Sequence, residues 1–296
     1  MTSTDMRNLV CGATAGAVSR TAVSPLERLK ILYQTQHVTG HKGSNAKYGS
    51  MSSSLRTIYR QEGFKGFYRG NGVNVMRVLP YTGTQFMCFD KYKKLLKGGD
   101  GTAPLASYEK LLVGASAGTT SVLVTYPLDL IRGRITVQGG GSAVKYTGML
   151  DCLRKSVAEE GFFGLYRGMT ANVIGIIPYV GVNYLVYETC KENAPIPEGR
   201  TTPAPHYLAL CGGIAGTTGQ TVAYPMDLLR RRFQVANEYR NVVHAVQTIC
   251  KEEGVGGLYK GYGPNFIKTW PTIAIMFFVN DMMKQSDLVN GVFGTA

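Results

Sequence analysis

Acidic residues are scarce in this 296-residue chain: 19 Asp and Glu stand against 32 Lys and Arg, a net charge of +13. Charge of either sign is sparse too, at 17% of residues, where an ordinary soluble domain carries about 25%. The six cysteines (Cys11, Cys88, Cys152, Cys190, Cys211, Cys250) contain no CxxC pair, which argues against a disulfide scaffold or a cysteine zinc site. There is no Walker-type glycine loop and no HExxH motif, and His37, His41, His206 and His244 fall in predicted loops or short amphipathic segments. An enzyme reading therefore finds no support, and no metal or cofactor is expected. Met1–Asp5 is polar with no cleavable apolar region after it, so no secretory signal is expected. The positive excess points to anionic partners. Because the basic residues recur at fixed offsets instead of clustering on one face, nucleic acid is not among them.

What the chain has in abundance is internal repetition. A Pro-x-acid-x-x-base core occurs three times, at Pro25-Leu26-Glu27-Arg28-Leu29-Lys30, Pro127-Leu128-Asp129-Leu130-Ile131-Arg132 and Pro225-Met226-Asp227-Leu228-Leu229-Arg230. Each is followed by an acid-Gly-x4-Tyr-base-Gly segment: Glu62-Gly63 to Tyr68-Arg69-Gly70, Glu160-Gly161 to Tyr166-Arg167-Gly168, and Glu253-Gly254 to Tyr259-Lys260-Gly261. A tyrosine (Tyr48, Tyr146, Tyr239), a proline (Pro80, Pro178, Pro271), a second acid (Asp90, Glu188, Asp281) and a lysine (Lys93, Lys191, Lys284) keep register with that acid in every copy. Length alone predicts about two domains. The register predicts one, residues 1–296, built of repeats over about 5–98, 107–195 and 204–290.

Each repeat reads as a long helix, a loop, a short amphipathic helix and a second long helix. Leu111–Leu128, Met169–Tyr187 and Tyr207–Met226 carry no charge and approach the ~20 residues that cross a bilayer. Symmetry extends the expectation to six spans, the other three being interrupted by Arg20, Arg77 and Lys268. Gly12-x3-Gly16, Gly114-x3-Gly118 and Gly212-x3-Gly216 have the small-x3-small spacing of closely packed membrane helices.

The two motifs, present in all three copies from Leu9 to about Gln285, resemble the mitochondrial carrier family. That resemblance implies an all-α membrane protein: six transmembrane helices in three pseudo-symmetric repeats of about 100 residues, with three short matrix-side amphipathic helices, alternating the access of a central cavity. It also implies a monomer, a multi-pass location in the mitochondrial inner membrane or a related organelle membrane, and cardiolipin bound where Arg69, Arg167 and Lys260 precede glycines at helix starts.

Acid and base in the proline motif share a helical face. Family geometry pairs Glu27 with Arg132, Asp129 with Arg230 and Asp227 with Lys30 as a matrix gate, braced by Gln34 and Gln234, with Thr136 at the third brace position. Local pairing within each helix is the alternative. On the even helices the resemblance implies a cytoplasmic gate of Asp90 with Lys191, Glu188 with Lys284 and Asp281 with Lys93. Fifteen residues after each motif acid stand Arg77, Gly175 and Lys268, where the family places its substrate contacts. Gly175-Ile176 matches the adenine-nucleotide branch, and glycine there lets a flat purine approach the backbone beside Ile176 and Tyr179. Arg20, with Val122 and Gln220 at its equivalent positions, joins Arg77 and Lys268 as a cationic cluster for phosphate oxygens. Exchange of adenine-containing anions such as ATP, ADP or AMP is the resulting expectation, with coenzyme A or adenosine phosphosulfate as the alternative. A proton-leak carrier of the same fold is a weaker rival, since it needs no Gly175-Ile176.

Overall fold

A computed structural model describes residues 3–40, 48–98, 105–138, 145–195, 205–236 and 238–285. His41, the predicted ends of the third repeat at 204 and 286–290, and the side chains of His206 and Lys284 lie outside the described residues. Among the described residues all regular structure is helical: α1 (Ser3–Ala22), α2 (Ser24–Thr35), α3 (Met51–Gly66), α4 (Asn71–Leu96), α5 (Ser107–Val137), α6 (Met149–Gly164), α7 (Met169–Glu192), α8 (Pro205–Val235), α9 (Val242–Glu252), a 3-10 turn at Val255–Tyr259, and α10 (Tyr262–Gln285).

The repeated prolines act differently from copy to copy. In the first repeat the chain breaks at Val23 and restarts with Pro25 in the first turn of α2, where a missing N–H costs nothing. Pro127 and Pro225 sit inside the unbroken 31-residue helices α5 and α8. The glycines of the acid-Gly and base-Gly pairs have a backbone reason to recur. Gly63, Gly161 and Gly254 have φ of 69°, 72° and 71°, and Gly70, Gly168 and Gly261 have φ of 83°, 81° and 85°. Side-chain-bearing residues rarely adopt these values.

Two stretches, Tyr108–Val137 and Met169–Glu192, are long and apolar enough to cross a membrane. The uncharged stretch Tyr207–Met226 does not reach the same apolarity, because Gln220 and a run of Gly and Thr dilute its Leu, Ile and Val.

The chain folds as two compact units, Met1–Arg167 with Gly263–Ala296, and Gly168–Tyr262. In the first, α4 packs on α5 and on α1, and α2 packs on α5. Ser19 Oγ donates to the Thr272 carbonyl at 2.7 Å, tying α1 to α10, and the Tyr92 and Thr120 hydroxyls bond at 2.8 Å between α4 and α5. One small core gathers Leu29, Leu32, Tyr33, Tyr48 and Ile58; another gathers Val73, Ile131, Tyr146 and Cys152.

In the second unit α7 and α8 pack closely. A methyl on Gly175 would lie 2.8 Å from Met226 Cβ, and one on Gly219 would lie 3.0 Å from the Tyr179 carbonyl oxygen and 3.2 Å from Asn183 Cβ. The small-x3-small pairs contribute less than their spacing predicts. Gly16 faces Val78 and Gly216 faces Asn183, whereas Gly12, Gly114, Gly118 and Gly212 have no described atom within 4 Å of a built Cβ. Close approach in this unit is carried by Gly175 and Gly219 instead.

Candidate functional site

α2, α4, α5 and α10 bring one charged cluster together in the first unit. Glu27 lies between two cations, with Arg132 Nη2 at 3.0 Å and Lys268 Nζ at 3.1 Å. Asp129, 1% exposed, accepts an ion-paired hydrogen bond from Arg77. Arg77 is also held over the ring of Tyr81, one turn further along α4, at 5.6 Å from the ring centre. Arg20, in the last turn of α1, is within electrostatic reach of Glu27, Asp129, Arg132 and Tyr81, and Lys30 within reach of Glu27. Between them Glu27 and Asp129 thus have five cations in pairing or electrostatic reach.

Of the expected matrix-gate pairs, Glu27 with Arg132 is formed. The other two, Asp129 with Arg230 and Asp227 with Lys30, draw their members from different units. Within the second unit Arg230 donates to Asn172 Oδ1 at 2.6 Å. The brace candidates Gln34 and Gln234 are fully buried. Gln234 accepts from Arg231, the neighbour of Arg230, at 2.9 Å. Thr136 bonds back to the Arg132 carbonyl at 2.7 Å.

The two cations proposed for substrate, Arg77 and Lys268, rest on carboxylates assigned to the gate. Gly175 is buried, and the space its missing side chain leaves is filled by Met226. The glycine admits a neighbouring helix on that side. Ile176 is half-buried and Tyr179 is 38% exposed.

On the even helices one short-range pair is formed. Lys191 Nζ pairs with Glu188 at 3.5 Å within α7. Asp90 and Asp281 are exposed and Lys93 half-buried, and among the described residues no ion pair joins them.

Sequence reasoning missed a threefold set of carboxylate clamps. Glu62 accepts two hydrogen bonds from Arg28, both at 2.8 Å, and pairs with Arg69 at 3.2 Å. Glu160 accepts two from Arg134, at 2.6 and 2.7 Å, and pairs with Arg167 at 3.6 Å. Glu253 is held by both terminal nitrogens of Arg232 and by Lys260 at 2.7 Å. The bases expected to meet cardiolipin, Arg69, Arg167 and Lys260, are thus engaged with the motif acids. Burial opposes charge on Glu253, yet the Arg232 and Lys260 hydrogen bonds hold its carboxyl below the usual range.

The signal for this set was present. Arg134 and Arg232 stand seven residues after their prolines, where the first repeat has Leu32. Arg28, one helical turn earlier, supplies the missing guanidinium. Tyrosines add to two of the copies: Tyr126 and Tyr224 stack on Tyr166 and Tyr259 and donate to the carbonyls of Arg167 and Lys260, each at 2.8 Å. Ser24 replaces the tyrosine in the first copy and reaches the Phe67 carbonyl at 3.2 Å.

A family model described as mitochondrial carrier protein matches residues 2–100, 103–195 and 202–287. The mitochondrial adenine nucleotide transporter ADNT1 of Arabidopsis thaliana is 39% identical, over 94% of this chain and 86% of that protein. The mitochondrial coenzyme A transporter SLC25A42 of Xenopus tropicalis is 40% identical, over 94% and 85%. The mitochondrial adenyl nucleotide antiporter SLC25A24 of Danio rerio is 35% identical over 94% of this chain, which spans 58% of that longer protein.

Proposed function

The chain belongs to the mitochondrial carrier family, whose members are membrane transporters, and from that premise we propose that it exchanges adenine-containing anions such as ATP, ADP or AMP by alternating access. The observation that carries the reading is the cationic cluster in which Arg77 and Lys268 rest on Asp129 and Glu27. A phosphate or sulfate group competes with these carboxylates for the same donors, offering equal charge and more acceptor oxygens. Binding frees Asp129 and Glu27, and freed carboxylates loosen the contacts that hold α2, α4, α5 and α10. Substrate entry and gate release become one ion exchange. Arg20 adds positive potential at the same place.

Ile176 and Tyr179 are the residues proposed from their repeat offsets to meet the adenine, with Gly175 supporting them by letting α7 lie against α8. In this reading the protein acts as a multi-pass monomer in the mitochondrial inner membrane, contacts lipid that includes cardiolipin, and has no catalytic chemistry. Coenzyme A is the second reading, favoured by the relatives named for it. A labelled-nucleotide exchange assay tests both. Liposomes containing the purified chain and loaded with ADP, ATP-Mg, AMP or coenzyme A are expected to take up external labelled adenine nucleotide only against an adenine-containing counter-solute. Uptake with empty liposomes, or with none of the four, overturns the proposal.

A further inference from the structure

α7 and α8 form an antiparallel ladder whose rungs run along one face of each helix. Gly175 lies opposite Met226, and Tyr179 and Asn183 lie opposite Gly219, with Asn183 also reaching Gly216. Two further turns along both helices the same register sets Cys190 opposite Cys211, with the two thiols in interaction range of each other. The two helices pack tightly along this face, a methyl on Gly219 lying 3.2 Å from Asn183 Cβ, and a disulfide requires β-carbons roughly 3.5–4.5 Å apart. The repeat-equivalent α4–α5 pair is built otherwise: the position two residues after its motif acid is Tyr92, hydrogen-bonded to Thr120. Both thiols are free, Cys190 partly exposed two residues before the end of α7 and Cys211 buried in α8. The transport reading uses neither.

We propose that Cys190 and Cys211 are a redox-active thiol pair that closes to a disulfide by exchange with an oxidised small-molecule disulfide such as oxidised glutathione. The Cys190 thiolate, the more accessible of the two, attacks one sulfur of oxidised glutathione and displaces one glutathione thiolate, which takes up the proton Cys190 gave up. The Cys211 thiol then loses its proton and attacks the Cys190 sulfur of the mixed disulfide. The second glutathione leaves as its thiol. Two protein thiols are oxidised to one disulfide and one glutathione disulfide is reduced to two thiols, so atoms and electrons balance. The bond staples to α8 the end of α7 that carries Glu188 and Lys191, and slows exchange. That consequence rests on the transport reading; the bond itself is scored by mass, so the two failures are told apart.

The purified full chain, incubated with oxidised glutathione, alkylated and digested without reductant, is expected to yield one linked peptide holding Cys190 and Cys211. It loses two alkylatable thiols, both regained with dithiothreitol, and the Cys211→Ser variant keeps one glutathione on Cys190. Free alkylation of both thiols after oxidation, or a glutathione that persists on Cys190 beside a free Cys211, overturns the pair. In liposomes the linked protein is expected to exchange more slowly and to recover on reduction. An unchanged rate overturns the regulatory role.

Discussion

The charged cluster of the first unit and the threefold clamps use the same kinds of side chain to opposite ends. Each clamp gives one carboxylate two dedicated bases, and the pattern repeats in all three copies. Its carboxylate is gripped by both terminal nitrogens of one guanidinium in the third copy, where that guanidinium and carboxylate are 0% and 2% exposed. In the cluster the repeated motif acids Glu27 and Asp129 meet Lys268 and Arg77, whose equivalent in the second repeat is Gly175, so these pairs have no third copy. A bidentate pair written three times holds structure; a pair that the repeats do not share is free to change partners. Desolvation and attraction nearly cancel in a buried pair, so small differences in geometry and burial decide which role it plays.

Breaking a clamp is expected to have the largest effect. Glu253→Ala leaves Arg232 buried without its carboxylate, a loss of about 3–5 kcal/mol. Glu160→Ala costs less, because the Glu160 side chain is 25% exposed; thermal unfolding in detergent orders the two. If both cost the same, burial is not what sets clamp strength.

Gly175→Ala tests the helix ladder. Its new methyl meets Met226 Cβ at 2.8 Å, an overpacking cost of about 1–3 kcal/mol. Met226→Gly removes that Cβ, so Gly175→Ala is expected to cost less in a Met226→Gly chain than in the unsubstituted one. An equal cost in both would mean that the glycine serves some contact other than Met226.

The pH dependence follows from Glu253. Its carboxyl is held below the usual range in the folded protein. The stability it contributes is therefore fully present above the ordinary glutamate pKa of about 4.3. It is lost as pH falls from there through the depressed folded value. Unfolding measured between neutral pH and acid should show a shallower decline in Glu253→Gln than in the unsubstituted chain. The smallest effect belongs to the exposed Lys145–Glu159 pair at 2.6 Å: Lys145→Ala is expected to leave both stability and exchange unchanged.

Much of this fold is legible in the sequence because the constraint behind it is written three times. The glycines of the acid-Gly and base-Gly pairs recur because each requires a positive φ, and Glu27 with Arg132 is the pair that the family resemblance implies. Long-range partners are less legible. That Arg77 meets Asp129 and Lys268 meets Glu27 depends on how helices separated by tens to hundreds of residues pack, which no local offset records. Arg28 replaces Arg134 and Arg232 from one turn away, and a search by aligned position passes over it. Gly175 has a family reading toward substrate, yet its packing partner Met226 stands in a helix that spacing cannot bring near.

The proposed exchange rests on competition between substrate anion and gate carboxylate for the same cation. It is tested most directly by titrating the purified chain with ADP and following the rise in its unfolding temperature, in the unsubstituted protein and in Asp129→Asn. Removing the internal competitor for Arg77 is predicted to lower the half-saturating ADP concentration while slowing exchange in liposomes. A half-saturating concentration that is unchanged or higher in Asp129→Asn would contradict the claim.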